Sequence, residues 1–474
     1  MRHGSVDTSL LRQGAHSPSY FALSRSMGPD AKEKLADFCI PCNPYFPTPD
    51  MFAKLSESLV DILKYYPSDS GTITKQLCQV LRLHPQTVAM ANGSTELITW
   101  IDHLLIKESV AIPIPTFGRW TDQPMETGKR VDMYPLQERD NFALNLDHYI
   151  SFIRSRGSRV AVICNVNNPD GNYIPRREVI RFMDQLTDLD LVVIDESFID
   201  FVDAERYPSV GPDAVIRPNV VVLKSLGKNF GLHGIRFGYM IANPAITAKI
   251  GKALPKWNLN SLAESVVFML KDYEAEYRES LRLLSRDRMR MAESLMRVPG
   301  LTVYPSQGNF ILIKVPGNWN GVDMRDHLIS QHGVYVRECG NKLGMTSQFL
   351  RLVVRPEDDV AKLIDGMATY ERTLRPEPHY VSYNDDPLTG DLPITGTGIM
   401  NLGSLSSAGS LPSGGGQYSD GGYSTGAYSN GSYQNPPPTT PLPERRSRRP
   451  VYNGHNGHNG HNGSNGYNGM AAAR

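Results

Sequence analysis

Short apolar runs alternate with amphipathic stretches along the first 375 residues of the chain. Residues 160–164, 191–194 and 220–223 are apolar without interruption and rich in β-branched side chains. Runs that are apolar on both faces are typical of buried strands in a parallel sheet. Residues 95–105 and 176–186 are predicted to be helices that lie between such strands. This alternation predicts an α/β fold whose central sheet is mostly parallel.

The pattern changes near residue 301, where two short strands (301–304 and 310–315), a helix (322–331) and further short strands are predicted. This order indicates a second, smaller α+β domain. We therefore predict an N-terminal extension (1–16), an arm that contributes to the small domain (17–49), a large domain (50–285) and the small domain (286–375).

The composition shifts near Pro376 to Gly, Ser, Asn, Pro and Tyr, with few aliphatic residues. Such a segment buries too little apolar surface to offset its chain entropy, so residues 376–474 are predicted to be a disordered, low-complexity tail. Its Asn-Gly-His repeats are interpreted as a spacer rather than a metal site, and its role is left open as a tether or a spacer.

The charge balance, 49 basic against 49 acidic residues, gives no reason to expect nucleic acid or an acidic membrane surface as a partner. No apolar run approaches the ~20 residues that span a bilayer, and the N-terminus lacks the apolar core of a secretory signal. Cys39 and Cys42 form a C-x-x-C pair, which is open to a redox or zinc role, but no second pair exists. We interpret them as loop thiols and expect a cytoplasmic protein without a metal site.

The segment with the strongest chemical signal is residues 225–238, which follows a predicted buried strand. It places the hydroxyl of Ser225 three residues before Lys228, and Arg236 eight residues after that lysine. A lysine can form an imine with an aldehyde cofactor, and a hydroxyl and a guanidinium can hold the cofactor's phosphate. A nucleotide-binding phosphate loop is the alternative, but its G-x-x-x-x-G-K-[ST] pattern is absent because Asn229 follows the lysine.

This segment resembles the Schiff-base lysine motif of the fold type I pyridoxal 5′-phosphate enzymes, the aspartate aminotransferase superfamily. It is most similar to the class I/II histidinol-phosphate aminotransferases and threonine-phosphate decarboxylases, over about residues 37–372. The resemblance implies the fold type I architecture. It also implies that Lys228 carries the cofactor and moves the substrate's α-proton, while Ser225 and Arg236 bind the cofactor phosphate. Lys224, which precedes the serine, is the less suitable alternative.

Two further motifs match the family on the residues that would contact the cofactor ring. Asp195 follows the apolar run 191–194, and the resemblance implies that it pairs with the pyridine nitrogen; a helix N-cap is the structural alternative. Asn168, in the turn Asn-Asn-Pro-Asp-Gly, would bind the ring 3′-oxygen. Asp170 stands where the family usually has threonine.

The remaining cofactor contacts rest mainly on the resemblance. Gly93, Ser94 and Thr95 lie at a predicted helix start, where backbone N–H groups bind phosphate, and they would contact the cofactor phosphate. Phe117 would stack on the ring. Tyr66 would reach the phosphate of a neighbouring subunit, which implies a homodimer with shared active sites.

Arg351 resembles the arginine that clamps the substrate's carboxylate or phosphate, and Arg337 a second contact to a substrate anion; surface arginines on strands are the alternative. Phe198 stands where most of these aminotransferases have tyrosine, and in this it is more similar to the decarboxylases. We predict an aminotransferase that uses a small amino donor and a 2-oxo acid acceptor. A decarboxylase is the close alternative, and a non-catalytic cofactor-binding protein a third.

Overall fold

The computed structural model describes residues 18–27 and 35–375, together with Leu11. The predicted tail, and the predicted extension apart from Leu11, lie outside the described residues. The strands are β1 (Ala36–Phe38), β2 (Val88–Ala91), β3 (Ser109–Ile114), β4 (Arg130–Pro135), β5 (Val160–Cys164), β6 (Leu191–Asp195), β7 (Val220–Ser225), β8 (Gly238–Ala242), β9 (Thr302–Val303), β10 (Phe310–Lys314), β11 (Val334–Glu338) and β12 (Phe349–Val353). 

The α-helices of the described residues are α1 (Tyr20–Met27), α2 (Pro49–Glu57), α3 (Leu59–Lys64), α4 (Ser70–Leu81), α5 (Ser94–Leu105), α6 (Arg119–Glu126), α7 (Leu146–Arg156), α8 (Arg176–Gln185), α9 (Gly211–Ala214), α10 (Leu226–Asn229), α11 (Pro244–Ala253), α12 (Ser261–Met269), α13 (Glu274–Met296), α14 (Gly321–His332) and α15 (Glu357–Thr373). None of the helices in this part of the chain is both long and apolar enough to span a bilayer.

The larger sheet has seven strands in the order β2-β8-β7-β6-β5-β3-β4. Its strands run parallel except β8, which pairs antiparallel with both β2 and β7. Alternate side chains of β6 enter different cores, because Val192 and Ile194 pack in one apolar cluster and Leu191 and Val193 in another. Helices therefore cover both faces of this sheet, which explains why its central strands are apolar without interruption.

The smaller sheet has five strands in the order β1-β11-β12-β10-β9. Its strand β1, which comes from the predicted N-terminal arm, pairs parallel with β11. Antiparallel pairing of β11 with β12 places Arg337 directly opposite Arg351. The apolar cluster behind this sheet includes Ile311, Leu328 and Leu363 from β10, α14 and α15. The predicted α/β fold, with a mostly parallel sheet and a smaller α+β part, is confirmed.

Helix α13 joins the chain segments of the two sheets as one continuous helix of 23 residues. Its Leu284 packs with Phe198 and Phe310, whereas its Met291 and Leu295 pack in the core of the smaller sheet. The predicted boundary between residues 285 and 286 thus falls within a helix. The domain limits stay predictions.

Candidate active site

The polar candidates meet at the carboxyl edge of the larger sheet. Neighbouring parallel strands β5, β6 and β7 end at Cys164, Asp195 and Ser225, with Cys164 in register with Asp195. The turn that carries Asn168 follows β5, and Lys228 follows β7. In parallel α/β sheets, ligands bind in the crevice outside this edge.

Lys228 lies in α10, the short helix that begins directly after β7. Its Nζ is 4.2 Å from the ring centroid of Phe198 and 5.4 Å from that of Phe117. Burial lowers the pKa of Lys228 to about 8, although the carboxylate of Asp195 opposes this shift. A large fraction of this amine is therefore neutral near pH 8, as a nucleophile or a base requires.

Lys224 lies four residues earlier and has the opposite environment. Its Nζ is 2.8 Å from Glu196 Oε2 and 3.7 Å from Asp200 Oδ1. Burial alone would lower the pKa of Lys224, but these two carboxylates raise it above the ordinary value. A lysine held charged in a buried salt bridge is a poor nucleophile, so the geometry favours Lys228.

Asp195 is buried and held by two hydrogen bonds. The indole Nε1 of Trp120 donates to Oδ2 at 2.8 Å, and the backbone N–H of Ser197 donates to Oδ1 at 3.0 Å. The next helical turn begins at Ile199 and has Phe198 as its N-cap, so Asp195 does not cap it. Trp120 was not predicted as a site residue. It orients the carboxylate whose other lone pairs are left for a ligand.

A buried guanidinium, that of Arg351, joins the smaller sheet to this edge. Its Nη1 donates to Asn168 Oδ1 at 2.8 Å, and its Nη2 donates to the carbonyl of Cys39 at 2.5 Å. Its Nε has no hydrogen-bond partner, and Arg351 forms no salt bridge among the described residues. A buried cation without a carboxylate partner is suited to an anionic ligand, because the anion offsets the cost of desolvation.

The predicted phosphate-binding residues come together at the start of α5. Gly93 precedes the helix with φ of 88°, and a Cβ there would lie 2.5 Å from Arg236 Nη2. A Cβ on Gly238, which pairs with Ser225 in the sheet, would lie 2.4 Å from the backbone nitrogen of Ser94. These two close approaches bring the helix N-terminus, Ser225 and Arg236 together. Helix N–H groups and a guanidinium form a donor set that fits a phosphate.

Three further candidates occupy different positions. Thr95 lies in the first turn of α5, beside these groups. Phe117 is partly buried and its ring lies near Lys228, as given above. Tyr66 is 86% exposed, and its ring lies 5.6 Å from that of Trp257. The structure therefore places Tyr66 on the surface of the single chain.

A cavity of about 250 Å³ adjoins this edge. Its lining includes Phe117, Asn168, Arg337, Lys342 and Arg351. Arg337 donates from Nη2 to Asn341 Oδ1 at 2.7 Å, and Lys342 donates from Nζ to the carbonyl of Thr116 at 3.0 Å. Lys342 was not predicted as a site residue, although its position five residues after Arg337 could have indicated a further cation near the substrate. The cavity is thus lined by three cationic side chains and by Phe117, whose ring lies near Lys228.

One cysteine of the C-x-x-C pair, Cys39, lines the same cavity. Cys39 is buried and accepts from Arg351 through its carbonyl. Burial raises the pKa of the Cys42 thiol to about 11, so little thiolate forms at neutral pH. No group of three or more potential metal-ligating side chains occurs among the residues described.

Comparison with known proteins agrees with this geometry. The family model for aminotransferases of class I and II matches residues 34–367. An L-serine phosphate decarboxylase from Campylobacter jejuni is 29% identical over 353 residues, 72% of this chain and 90% of the relative. A histidinol-phosphate aminotransferase from Ruminiclostridium cellulolyticum is 30% identical over 330 residues, 69% of this chain and 89% of the relative.

A solved structure of a decarboxylase from Sulfurospirillum multivorans superposes with a TM-score of 0.68 at 26% identity, covering 77% of this chain and 99% of the other. The predicted family, fold type and cofactor are confirmed at this level. The chain belongs to the class I and II aminotransferases, a family of enzymes that depend on pyridoxal 5′-phosphate.

Proposed function

We propose that the protein is an aminotransferase for a small amino compound that carries an anionic group, of the histidinol-phosphate aminotransferase kind. The observation that carries this proposal is the pairing of a reactive lysine with a buried, anion-seeking arginine. Lys228 has its pKa lowered to about 8 by burial, and Arg351 has no carboxylate partner in the described part of the chain. The related histidinol-phosphate aminotransferase supports the substrate class.

The residues at the sheet edge have suitable chemistry to hold the cofactor. Lys228 would form the covalent bond to it, Asp195 would pair with the ring nitrogen, and Phe117 would contact the ring face. Asn168 accepts from Arg351 through Oδ1, which leaves its amide NH₂ as the donor to the ring oxygen. The phosphate would be held by Gly93, Ser94, Thr95, Ser225 and Arg236. When bound, pyridoxal phosphate supplies an electron sink for negative charge at the substrate's α-carbon.

The side chains then divide the remaining work. The neutral amine of Lys228 would remove the substrate's α-proton and return it, since its lowered pKa suits proton transfer near neutral pH. Arg351 would bind the anionic group next to the substrate's α-carbon, which is a carboxylate in an amino acid and a phosphate in histidinol phosphate, and so would orient the bonds at that carbon. Phe117 and Phe198, whose rings both lie near Nζ, would keep bulk water from the amine.

A homodimer with shared sites is the second part of the proposal. Tyr66 and several apolar side chains near it (Val60, Leu63 and Trp257) are exposed in the single chain. Such a surface suits burial against a second copy, and Tyr66 would then reach the neighbouring subunit's cofactor phosphate. A 2-oxo acid as the amino acceptor and a cytoplasmic location also stay predictions.

Decarboxylation of an O-phosphorylated amino acid is the second candidate function. Phe198 favours it, because this buried ring contacts Phe310 edge-on at 5.0 Å and offers no hydroxyl donor beside Lys228. The related L-serine phosphate decarboxylase supports the same reaction class. Both reactions need the same lysine and the same anion-binding arginine, so their difference lies in the bond that is held perpendicular to the ring.

Mass analysis of the products distinguishes the two. The purified enzyme, loaded with pyridoxal phosphate, would be incubated with histidinol phosphate, O-phospho-L-serine or O-phospho-L-threonine, with and without 2-oxoglutarate. An aldehyde or keto product that requires 2-oxoglutarate, with glutamate formed alongside, is expected for the aminotransferase. An amine lighter by carbon dioxide, formed without an acceptor, would instead establish the decarboxylase. No turnover of any amino substrate would leave cofactor binding without catalysis.

A further inference from the structure

Lys342 lies in the segment that connects β11 to β12, and its side chain is partly buried. The proposed chemistry does not use this residue. Its Nζ donates to the carbonyl of Thr116 at 3.0 Å, which joins the smaller sheet's hairpin to the turn after β3. Thr116 precedes Phe117, whose ring lies near Lys228. Lys342 therefore lines the cavity and contacts the residue that precedes Phe117.

The charge of Lys342 is not compensated within the part of the chain that the structure describes. Its Nζ forms no salt bridge there, and its recorded acceptor is a neutral carbonyl. Burial, together with the nearby Arg351 and Arg337, lowers the pKa of Lys342 to about 8, although the Cys339 thiol opposes this shift. Asp122 also lines the cavity, but its Oδ1 accepts from Thr121 Oγ1 at 3.1 Å. An ammonium has three donors, so Lys342 retains two for a ligand.

The three cationic side chains that line the cavity, those of Arg337, Lys342 and Arg351, are held by different hydrogen-bond partners. Arg351 is held inward, by Asn168 and the Cys39 carbonyl. Arg337 is held by Asn341 on the hairpin, and Lys342 by Thr116. Arg351 is thus joined to Asn168, which would bind the cofactor ring oxygen, whereas Arg337 and Lys342 make no recorded contact with Asn168 among the described residues and border the cavity. A substrate with a carboxylate at its α-carbon and a second anion at its far end matches this division.

We propose that Lys342 is a specificity-determining residue, which selects a phosphorylated amino substrate over its carboxylate counterpart by binding the phosphoryl group beside Arg337. This inference rests on the proposed function and names the terminal group of its substrate. A phosphate monoester carries close to two negative charges at neutral pH and has three acceptor oxygens. It therefore uses two donors of Lys342 as well as Arg337, whereas a carboxylate has a single charge and two oxygens.

The test compares ligands of matched length on matched variants. Dissociation constants of O-phospho-L-serine, O-phospho-L-threonine and L-glutamate would be measured by rapid absorbance titration of the pyridoxal phosphate-loaded enzyme. Lys342→Met removes the amine and keeps the apolar stem. Lys342→Gln keeps a donor for the Thr116 carbonyl but removes the charge, which separates anion binding from the structural contact. Lys314→Met is the control, because that lysine pairs with Glu138 outside the cavity.

Loss of a charge-assisted bond predicts binding of the phosphorylated ligands weaker by roughly 10- to 100-fold in both Lys342 variants. Binding of L-glutamate should change by less than about 3-fold, and Lys314→Met should affect no ligand. An equal loss for phosphorylated and carboxylate ligands, or restoration by Lys342→Gln, would show a structural role and overturn the proposal. Failure of the unmutated enzyme to bind either phosphorylated ligand would also overturn it.

The two proposals fail separately. Selective, Lys342-dependent binding of a phosphorylated ligand without any turnover would support the role of Lys342 and reject the proposed activity. Turnover of a phosphorylated substrate that is unchanged in both Lys342 variants would support the activity and reject the role of Lys342.

Discussion

Two lysines on one strand-turn segment show how surroundings decide reactivity. Lys224 and Lys228 are four residues apart, yet the first faces Glu196 and the second faces the rings of Phe198 and Phe117. Carboxylates stabilise the charged form of Lys224, whereas an apolar site destabilises the charged form of Lys228. The local sequence supplies two amines, and the packing around them makes one a salt-bridge partner and the other a nucleophile.

The pH dependence of cofactor attachment follows from this difference. Only the neutral amine attacks an aldehyde, so the rate of pyridoxal phosphate attachment to the apoenzyme should rise about tenfold per pH unit below pH 8 and level off above about 8. Stopped-flow absorbance measures this rate. An ordinary lysine would keep accelerating to about pH 10, and such a profile would contradict the assignment of the lowered pKa.

The position of the label tests which lysine reacts. Lys228→Ala should abolish borohydride-stable attachment of pyridoxal phosphate, since Lys224 is held charged by Glu196 and Lys342 is held by the Thr116 carbonyl. Lys252→Ala on the surface should leave the attachment intact. Peptide mass mapping reads the position. Label that persists in Lys228→Ala and maps to Lys224 would refute the central assignment.

Local sequence was sufficient for the residues that follow strand ends. Asp195 and Lys228 follow apolar strands, whose parallel carboxyl ends align, and this position agreed with the family motifs. Asn168 was predicted from the resemblance of its turn alone. Trp120 and Lys342 were missed because their contacts are distant in sequence. The indole of Trp120 reaches Asp195 across 75 positions, and Lys342 reaches Thr116 across 226. No local pattern specifies such pairs.

At the scale of elements, the antiparallel strand β8 decides the geometry of the phosphate-binding residues. It lies between β2 and β7, and its first residue, Gly238, approaches the backbone nitrogen of Ser94. The pattern of apolar runs predicted parallel strands and did not include β8. The helix start was predicted at residue 95 and lies at Ser94, but its approach to Arg236 depends on a strand order that the sequence does not specify.

Gly93 should be intolerant of a side chain for this reason. Gly93→Ala places a methyl group against the Arg236 guanidinium and should weaken pyridoxal phosphate binding by at least about tenfold, through displacement of a charge-assisted donor. Gly128→Ala is the matched control, because Gly128 also has positive φ (77°) but open space around it. Both variants should lose about 1–2 kcal/mol of stability from backbone strain. Equal cofactor affinity in the two would contradict the proposed phosphate site.

At the scale of the whole molecule, one residue that was predicted to contact the cofactor phosphate is exposed in the single chain. Tyr66 is exposed at the end of the α2–α3 region, next to other exposed apolar side chains. The resemblance assigned Tyr66 to the site of a neighbouring subunit, and the exposure of Tyr66 in the single chain is compatible with the proposed homodimer.

Mixing two inactive variants tests the shared site. Lys228→Ala and Tyr66→Ala should each be impaired alone, but a mixed dimer contains one site with both native residues. Random reassociation of equal amounts makes half the dimers mixed, so about a quarter of the unmutated activity should return. Sedimentation or light scattering provides the control for dimer formation. No recovery in a sample shown to contain mixed dimers would place Tyr66 outside the neighbouring site.

The register that sets Arg337 opposite Arg351 has a consequence for how the substrate preference of such an enzyme can change. Arg337, Lys342 and Arg351, the three positive side chains that border the cavity, all belong to one hairpin of fifteen residues, whereas Asp195 and Lys228 belong to the other sheet. The side chains that would bind the substrate's anionic groups thus lie on a different segment of the chain from Asp195 and Lys228. Replacements at Arg337 and Lys342, in natural variants or in an engineered library, would change which compound binds, while Arg351, Asp195 and Lys228 keep the reaction.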